Sequence, residues 1–292
     1  MPARWFLLLL MCLASGGAWA QAGKLDPALL KKANAGDAQA QFLVGQAYAS
    51  GNGAGQNDTQ AAQWYEKAAD QGLPTAEFEL GVLYLAGRGV EQNAARAAVL
   101  LGRAADQGLA PAQLTLGGLY DRGEGVPQNY AHAADLYRRA ALQGLAEAQV
   151  NLGMLYAQGQ GVPQDPAQAA DLYRHAAEQG NATAQFNLGL LFDNGDGVDK
   201  DFAQAAQWYR KAAEQGVPRA QFNLGAMYVN GDGVPRNLVE AYFWLDLAAT
   251  TWNGAHQREA AETRDKVATR LSTTDLMAAK QRSKDWLDAK RK

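Results

Sequence analysis

Apolar residues recur along this chain at the spacing of an amphipathic helix, and the whole pattern repeats every 36 residues. In the fifth copy, Ala184, Leu188, Leu191 and Phe192 follow the i, i+4, i+7, i+8 spacing of one buried helix face. A second helical pattern follows in the same copy, in residues 201–215. Each copy is therefore predicted to be a pair of α-helices, and the chain to be a stack of such pairs.

A Gly-x-Gly turn separates the two predicted helices of every copy. The stretch LFDNGDGVDKD at 191–201 is rich in aspartate, but Gly195 and Gly197 occupy places where a calcium loop needs oxygen ligands. A sister copy has Arg88 between its two glycines, and a ligand position would not accept arginine. We interpret the acids as solvent-facing turn residues and predict no metal site. The glycines are expected to need positive φ or close backbone approach.

A glycine also lies in the middle of every predicted first helix, where it costs about 1 kcal/mol relative to alanine. Six such glycines in register indicate that the second helix crosses there without room for a Cβ atom. The expected partner is a column of alanines on the second helix that ends at Ala241. The glycine positions, which we predict to be structural, are Gly45, Gly81, Gly117, Gly153, Gly189 and Gly225.

Capping residues mark the helix ends. An Asn or Asp precedes each second helix, and a glycine follows the first five of them, as N-caps and C′ residues do. We predict four segments: a signal peptide at 1–20, an N-terminal capping helix at 21–35, six repeats at 36–251, and a C-terminal helical cap at 252–292. Ser272 is expected to open the last helix of the cap.

The stretch AQFNLGLLFDNGDGVDKDFAQAAQWYRKAAEQG resembles the Sel-one-like repeat (SLR), a relative of the tetratricopeptide repeat with a longer turn between its helices. Six tandem copies at 36–251 cover about three quarters of the chain. The resemblance implies an all-α fold: a right-handed α-α superhelix, or tetratricopeptide-like solenoid, of six 36-residue helix-turn-helix repeats with helical caps.

The first twenty residues have the features of a secretory signal peptide. Arg4 precedes an apolar run, which ends before the small-x-small sequence of Ala18 and Ala20. We predict cleavage after Ala20 and export to the periplasm or the medium. The apolar run is too short to span a membrane. The only cysteine, Cys12, lies within this segment, so the mature chain would contain no cysteine.

The rest of the sequence gives little indication of catalysis. The formal net charge of −3 is not that of a nucleic-acid-binding protein, and no further apolar run is long enough to span a membrane. The histidines, His132, His175 and His256, occupy unrelated repeat positions, and no metal-ligand or nucleophile motif is present. We therefore predict that the protein is not an enzyme and needs no cofactor.

The face of the first helices opposite the core is the candidate binding surface, because in tetratricopeptide arrays that face lines the concave groove. It combines an apolar column with a row of asparagines, which offer a donor and an acceptor to an extended peptide backbone. The predicted partner-contacting residues are Phe78, Glu79, Asn151, Met154, Phe186, Asn187, Leu190, Phe222 and Asn223. Neither Asn187 nor Asn223 lies on the core stripe, so we expect both to be replaceable without loss of the fold. Alternatively, the phenylalanines are buried between neighbouring repeats.

The resemblance implies a monomeric scaffold that binds a protein or peptide, as an adaptor or regulator in the cell envelope. Two alternatives stay open. Cysteine-rich SLR proteins are linked to β-lactam binding or hydrolysis, although this chain lacks their paired cysteines. A peptidoglycan or glycan binder would place aromatic residues exposed in the groove.

Overall fold

The computed structural model describes residues 25–291, which form fifteen α-helices and no β-strand. The predicted signal peptide and its cleavage site lie outside the described residues. The helices are α1 (Pro27–Asn34), α2 (Ala38–Ser50), α3 (Asp58–Ala69), α4 (Pro74–Ala86), α5 (Ala94–Asp106), α6 (Ala110–Arg122), α7 (Tyr130–Leu142), α8 (Ala146–Gln158), α9 (Pro166–Glu178), α10 (Ala182–Asn194), α11 (Phe202–Glu214), α12 (Pro218–Asn230), α13 (Leu238–Thr251), α14 (Ala255–Ala268) and α15 (Thr273–Lys290).

The helices belong to two compact units, one ending at Gln107 and the other beginning at Gly108. In the first unit, α1 packs on α2, α2 on α3, α3 on α4 and α4 on α5. In the second unit the same nearest-neighbour packing runs from α6 to α14, and α15 packs on α13. Each unit is thus built from helix pairs stacked in chain order, which confirms the predicted all-α solenoid of helix-turn-helix repeats.

Every second helix of a repeat begins at a capping side chain, as predicted. In each case the side-chain oxygen accepts a hydrogen bond from the backbone N–H three residues later, which satisfies one of the unpaired donors of the first turn. The capping residues are Asn57, Asn93, Asn129, Asp165, Asp201 and Asn237. The terminal helices are also capped: Asp26 at the start of α1 accepts from the N–H of Ala28, two residues later, and Ser272 at the start of α15 accepts from the N–H of Asp275.

The glycine in the middle of each first helix lies against a ring or a leucine of the second helix. A Cβ atom on Gly153 would lie 2.7 Å from Cε1 of Tyr173, and one on Gly45 would lie 2.6 Å from Cδ1 of Tyr65. The alanine column, which the sequence indicated as the partner, contributes a backbone oxygen instead: that of Ala61 is 3.3 Å from the position of the Gly45 Cβ. The glycine makes room mainly for the side chain four residues beyond the alanine, which is a tyrosine in four repeats and a leucine in two.

The second glycine of the Gly-x-Gly turn lies directly on the preceding repeat. Gly161 has φ of +69°, and a Cβ atom there would lie 2.2 Å from the backbone carbon of Tyr130, the first residue of α7. The first glycine, Gly159, ends α8 in the left-handed conformation. The turn therefore requires both positive φ and close backbone approach.

Candidate functional site

We use the name groove face for the side of the first helices that carries the predicted binding residues. In the first unit it includes Phe78 and Glu79 on α4, both half-buried. In the second unit it is formed by α8, α10 and α12, and its members there are half-buried with one exception. These members are Asn151, Met154, Phe186, Asn187, Leu190, Phe222 and Asn223.

Phe186 is the exception, with 7% of its surface exposed. Its ring lies 5.9 Å from the ring of Tyr209, centroid to centroid. Phe222 likewise packs edge-on against Trp252 at 5.9 Å. The apolar column of the second unit therefore contributes to packing between helices, and the ring of Phe186 packs within its own repeat. Phe186 leaves little surface for a partner, and contact with one stays a prediction.

Each asparagine of the groove face is held by a buried tyrosine. The side chains of Asn151, Asn187 and Asn223 lie beside the hydroxyl groups of Tyr137, Tyr173 and Tyr209, on the second helix of the preceding repeat, and each amide lowers the pKa of its hydroxyl as a hydrogen-bond donor would. Burial raises the pKa of Tyr173 to about 12, and the bond from Asn187 opposes that shift. The asparagine row thus has a structural role, which the helical periodicity did not reveal.

The tyrosine hydroxyls also donate to aspartates at the end of the first helices. The hydroxyl of Tyr209 donates to Asp193 at 3.1 Å, and that of Tyr137 donates to Asp121 at 3.4 Å. Asp193 is therefore not a solvated turn residue, as the sequence had suggested, but an acceptor for a buried hydroxyl. The repeat between these two has Ala157 in the place of the aspartate, so Tyr173 depends on Asn187.

We expect Asn187→Ala to lower the free energy of unfolding by about 1–3 kcal/mol, because it leaves the buried hydroxyl of Tyr173 unpaired. Both asparagines were expected from the sequence to be replaceable without loss of the fold, and the contact with Tyr173 adds a cost in stability to that expectation. Asn223→Ala should cost less, since Tyr209 keeps Asp193. Urea unfolding of the two variants measures the difference. Tyr173→Phe combined with Asn187→Ala removes both partners and should recover most of the loss; equal losses for the two single variants would contradict the assignment.

Glu79 occupies the asparagine place in the first unit. Burial raises the pKa of its carboxyl group, while the positive charge of Arg88 lowers it. Arg88 itself pairs with Asp58, with 2.7 Å between guanidinium nitrogen and carboxylate oxygen. Arg88, which argued against a calcium site in these turns, thus forms an ion pair with a residue of the preceding helix, α3.

A row of buried glutamines was missed in the sequence. Gln185, 4% exposed, donates from Nε2 to the carbonyl oxygen of Ala177 at 3.1 Å, and its Oε1 accepts from Gln215 at 2.8 Å. One amide thus connects the end of α9, the start of α10 and the end of α11. The signal was available, because each first helix carries a glutamine or glutamate directly after a buried alanine. The row comprises Gln41, Glu77, Gln113, Gln149, Gln185 and Gln221.

Glu77 is the acidic member of this row and is 2% exposed. Burial raises the pKa of its carboxyl group above the usual 4.5, although Arg103 and a hydrogen bond from Gln107 oppose the shift. An ionised carboxylate cannot donate to a carbonyl oxygen as the glutamines do. Glu77 is therefore a carboxyl group in a place suited to a carboxamide.

We expect Glu77→Gln to stabilise the protein by about 1 kcal/mol at neutral pH, the contribution of one added hydrogen bond. A carboxyl group whose pKa is raised by folding stabilises most at low pH, and this contribution is lost as pH rises through the raised pKa. The advantage of the variant in thermal unfolding should therefore grow as the pH rises from 4.5, the usual pKa, through the raised pKa of Glu77. The reverse change, Gln185→Glu, should destabilise with the same pH dependence. A pH-independent difference would contradict this interpretation.

Residues 25–291 contain no group of three or more His, Cys, Asp or Glu placed to hold a metal ion. No helix among them has the length and apolar character needed to cross a membrane.

Comparison with known proteins identifies the repeat. The sequence profile of the Sel1 repeat matches six consecutive segments, 38–73, 74–109, 110–145, 146–181, 182–217 and 218–250. No curated protein matches the chain.

Two solved structures are similar over most of the chain. A Sel1 repeat protein from Oxalobacter formigenes is 36% identical, with a TM-score of 0.65, over 73% of this chain and 85% of its own. The protective antigen c5321 of uropathogenic Escherichia coli, which displays an SLR fold, is 30% identical, with a TM-score of 0.52, over 89% of this chain and 70% of its own. Proteins of this kind generally mediate protein–protein interactions.

Proposed function

Because this chain belongs to the Sel1 repeat family, whose members generally bind other proteins, we propose that its groove face binds an extended segment of a partner protein. The observation that carries the proposal is the row of oriented, half-buried asparagines on α8, α10 and α12. The protein would act as a monomeric, non-enzymatic scaffold, an adaptor or regulator.

The hydrogen-bonding capacity of the asparagines fits a peptide backbone. A carboxamide has two N–H donors and an oxygen acceptor, and the tyrosine takes one donor. One N–H and the carbonyl oxygen are left for a ligand, in an orientation that the tyrosine fixes before binding. Pre-orientation reduces the entropy lost when a partner binds. The half-buried side chains of Met154 and Leu190, on the same helices, supply apolar surface beside these amides.

The site of action that we propose is the cell envelope or the exterior. The support is the N-terminal sequence, in which Arg4, the apolar run and the small residues before Gln21 match a cleavable signal. Expression of the full chain should yield a mature protein that begins at Gln21 and is recovered outside the cytoplasm. Mass spectrometry of the intact protein from cell fractions measures this. An uncleaved chain in the cytoplasmic fraction would contradict export.

The binding proposal is tested with a photo-crosslinking amino acid at position 190, on the groove face. We expect irradiation of cells to give discrete protein adducts from this position, and none from the same amino acid at position 211, which lies on the exposed side of α11. Adducts from position 211 alone would place binding on the other face.

Substitutions then separate recognition from folding. Replacing both Asn187 and Asn223 by alanine should lower the adduct yield by about tenfold, since each lost hydrogen bond is worth about 0.5–1.5 kcal/mol. Tyr173→Phe is the matched control, because it removes the internal hydrogen bond but leaves the Asn187 amide on the groove face. If the control reduces the yield as much as the double variant, the asparagines act on the structure and not on a partner.

A further inference from the structure

On the groove face of the first unit, a carboxylate takes the place of the asparagines. Glu79 lies on α4 at their position in the repeat, and its charge acts on the hydroxyl of Tyr65, as expected for a side chain beside that tyrosine. An ionised carboxylate is an acceptor only, whereas an asparagine amide also donates. The second repeat is the one that brings a charge to this row, since the other five repeats have Leu43, Thr115, Asn151, Asn187 and Asn223.

The carboxylate of Glu79 lacks a donor within the described part of the chain. The side chain is half-buried, and this burial is the largest cause of the raised pKa of its carboxyl group. It forms no hydrogen bond or ion pair with any of residues 25–291. Removing a carboxylate from water is unfavourable unless a donor or a cation replaces the lost hydration. The protein without a bound segment therefore leaves this group short of a partner.

Arg88 does not provide the missing donor. Its positive charge acts on Glu79 from a distance, but its Nε and Nη2 atoms donate to the two oxygens of Asp58, at 2.9 and 2.7 Å. The guanidinium is thus oriented by Asp58. Two carboxylates and one guanidinium leave one net negative charge in this group, which favours a cation as the ligand.

Apolar side chains of α2 lie on the same face of the first unit. Phe42 and Leu43 hold on α2 the places that Phe78 and Glu79 hold on α4. Leu43 is 37% exposed, and the half-buried ring of Phe42 lies 5.6 Å from that of Tyr65. Lysine and arginine combine an aliphatic stem with a cationic end, and aromatic faces attract cations. An apolar surface beside a single carboxylate matches that combination.

We propose that Glu79 selects the partner of the groove face by binding a basic side chain, arginine or lysine, of the bound segment. The aliphatic part of that side chain packs on Leu43 and Phe42. This role rests on the binding function proposed above, and it adds a requirement on the partner's sequence.

The first step of the test identifies the segment that lies at Glu79. A photo-crosslinking amino acid replaces Val82, which is half-buried and corresponds to Leu190 in the repeat, and mass spectrometry of the adducts gives the linked sequence. We expect an arginine or lysine within about two residues of the link, because side chains three positions apart on a helix are about 5–6 Å apart. Glu79→Gln should lower the adduct yield about tenfold, as expected for the loss of a charge-assisted hydrogen bond. Glu91→Gln, the same change at an exposed residue of the same repeat, should keep the yield.

The second step measures the charge pairing itself. The linked segment is synthesised as a peptide with its basic residue and with methionine in that place, and both peptides are titrated against the wild-type protein and Glu79→Gln. The wild type should bind the basic peptide about tenfold or more tightly than the methionine peptide, and Glu79→Gln should bind the two nearly equally. Such a double-mutant cycle separates the pair from general effects on folding.

The outcomes separate this role from the function of the groove face. A linked segment without a basic residue, adducts at position 190 but none at 82, or an unchanged preference for the basic peptide in Glu79→Gln would each overturn the role of Glu79. Binding on the second unit would stand in all three cases. Adducts at neither position would overturn the function proposed above, and the role of Glu79 with it.

Discussion

Gly161→Ala is expected to destabilise the protein by roughly 2–5 kcal/mol, combining the strain of positive φ, about 1–2 kcal/mol, with overpacking of about 1–3 kcal/mol. The overpacking arises because the new methyl group would lie 2.2 Å from the backbone carbon of Tyr130. A backbone atom cannot rotate away as a side chain can, so either the turn or α7 must move. Urea unfolding of the purified protein measures the loss.

Gly144→Ala is the matched control, because Gly144 also has positive φ, +87°, but nothing lies within 4 Å of an added Cβ atom. Its cost should be that of the strain alone, about 1–2 kcal/mol. The difference between the two variants isolates the close approach of turn and helix. Equal costs would show that the contact at Gly161 relaxes freely.

Gly153→Val is the second large effect, and we expect a loss of about 3 kcal/mol, the upper part of the range for overpacked cores. A Cβ atom at this position would lie 2.7 Å from the ring of Tyr173, and the branched side chain needs still more room. Displacing this ring also disturbs its hydrogen bond to Asn187. Thermal unfolding should show a decrease of several degrees, at about 2–4 °C per kcal/mol.

Gly102→Val provides the comparison. Gly102 lies within α5, and nothing lies within 4 Å of an added Cβ atom there. Valine is the better helix former of the two, so this variant should be unchanged or more stable by a few tenths of a kcal/mol. If Gly153→Val unfolds at the same temperature as the wild type, the ring of Tyr173 can adopt another position and glycine is not required at position 153.

The helices and their ends could be predicted because they depend on short-range order. The apolar spacing in residues 182–194 and the caps at Asp165 and Asp201 are local features, and each was found where the sequence placed it. The repetition of the pattern in six copies supported each of these local predictions, since the same residue types recur at the same repeat positions.

The polar contacts between neighbouring repeats could not be predicted in this way. Asn187 and Tyr173 lie on different repeats, and whether they meet depends on how one helix pair is rotated against the next. Helical periodicity places Asn187 on the groove face but says nothing of the partner of its amide. The sequence analysis expected an alanine to contact the glycine of each first helix, whereas the ring of Tyr173 contacts Gly153. Which side chain reaches the glycine depends on side-chain size, which helical periodicity does not take into account.

The contact of the second turn glycine with the preceding helix has a consequence for repeat length. One residue inserted between Gly159 and Gly161 would move the second glycine away from the backbone of Tyr130, so these turns should not tolerate insertions. The opposite loops differ, because nothing lies within 4 Å of a Cβ atom on Gly72, Gly144 or Gly180. Gly216 is the exception, with Trp286 at 3.7 Å. An affinity tag, a protease site or a fused domain therefore belongs after Gly144, whereas Gly180 is less suitable because its carbonyl oxygen accepts a hydrogen bond from Gln215.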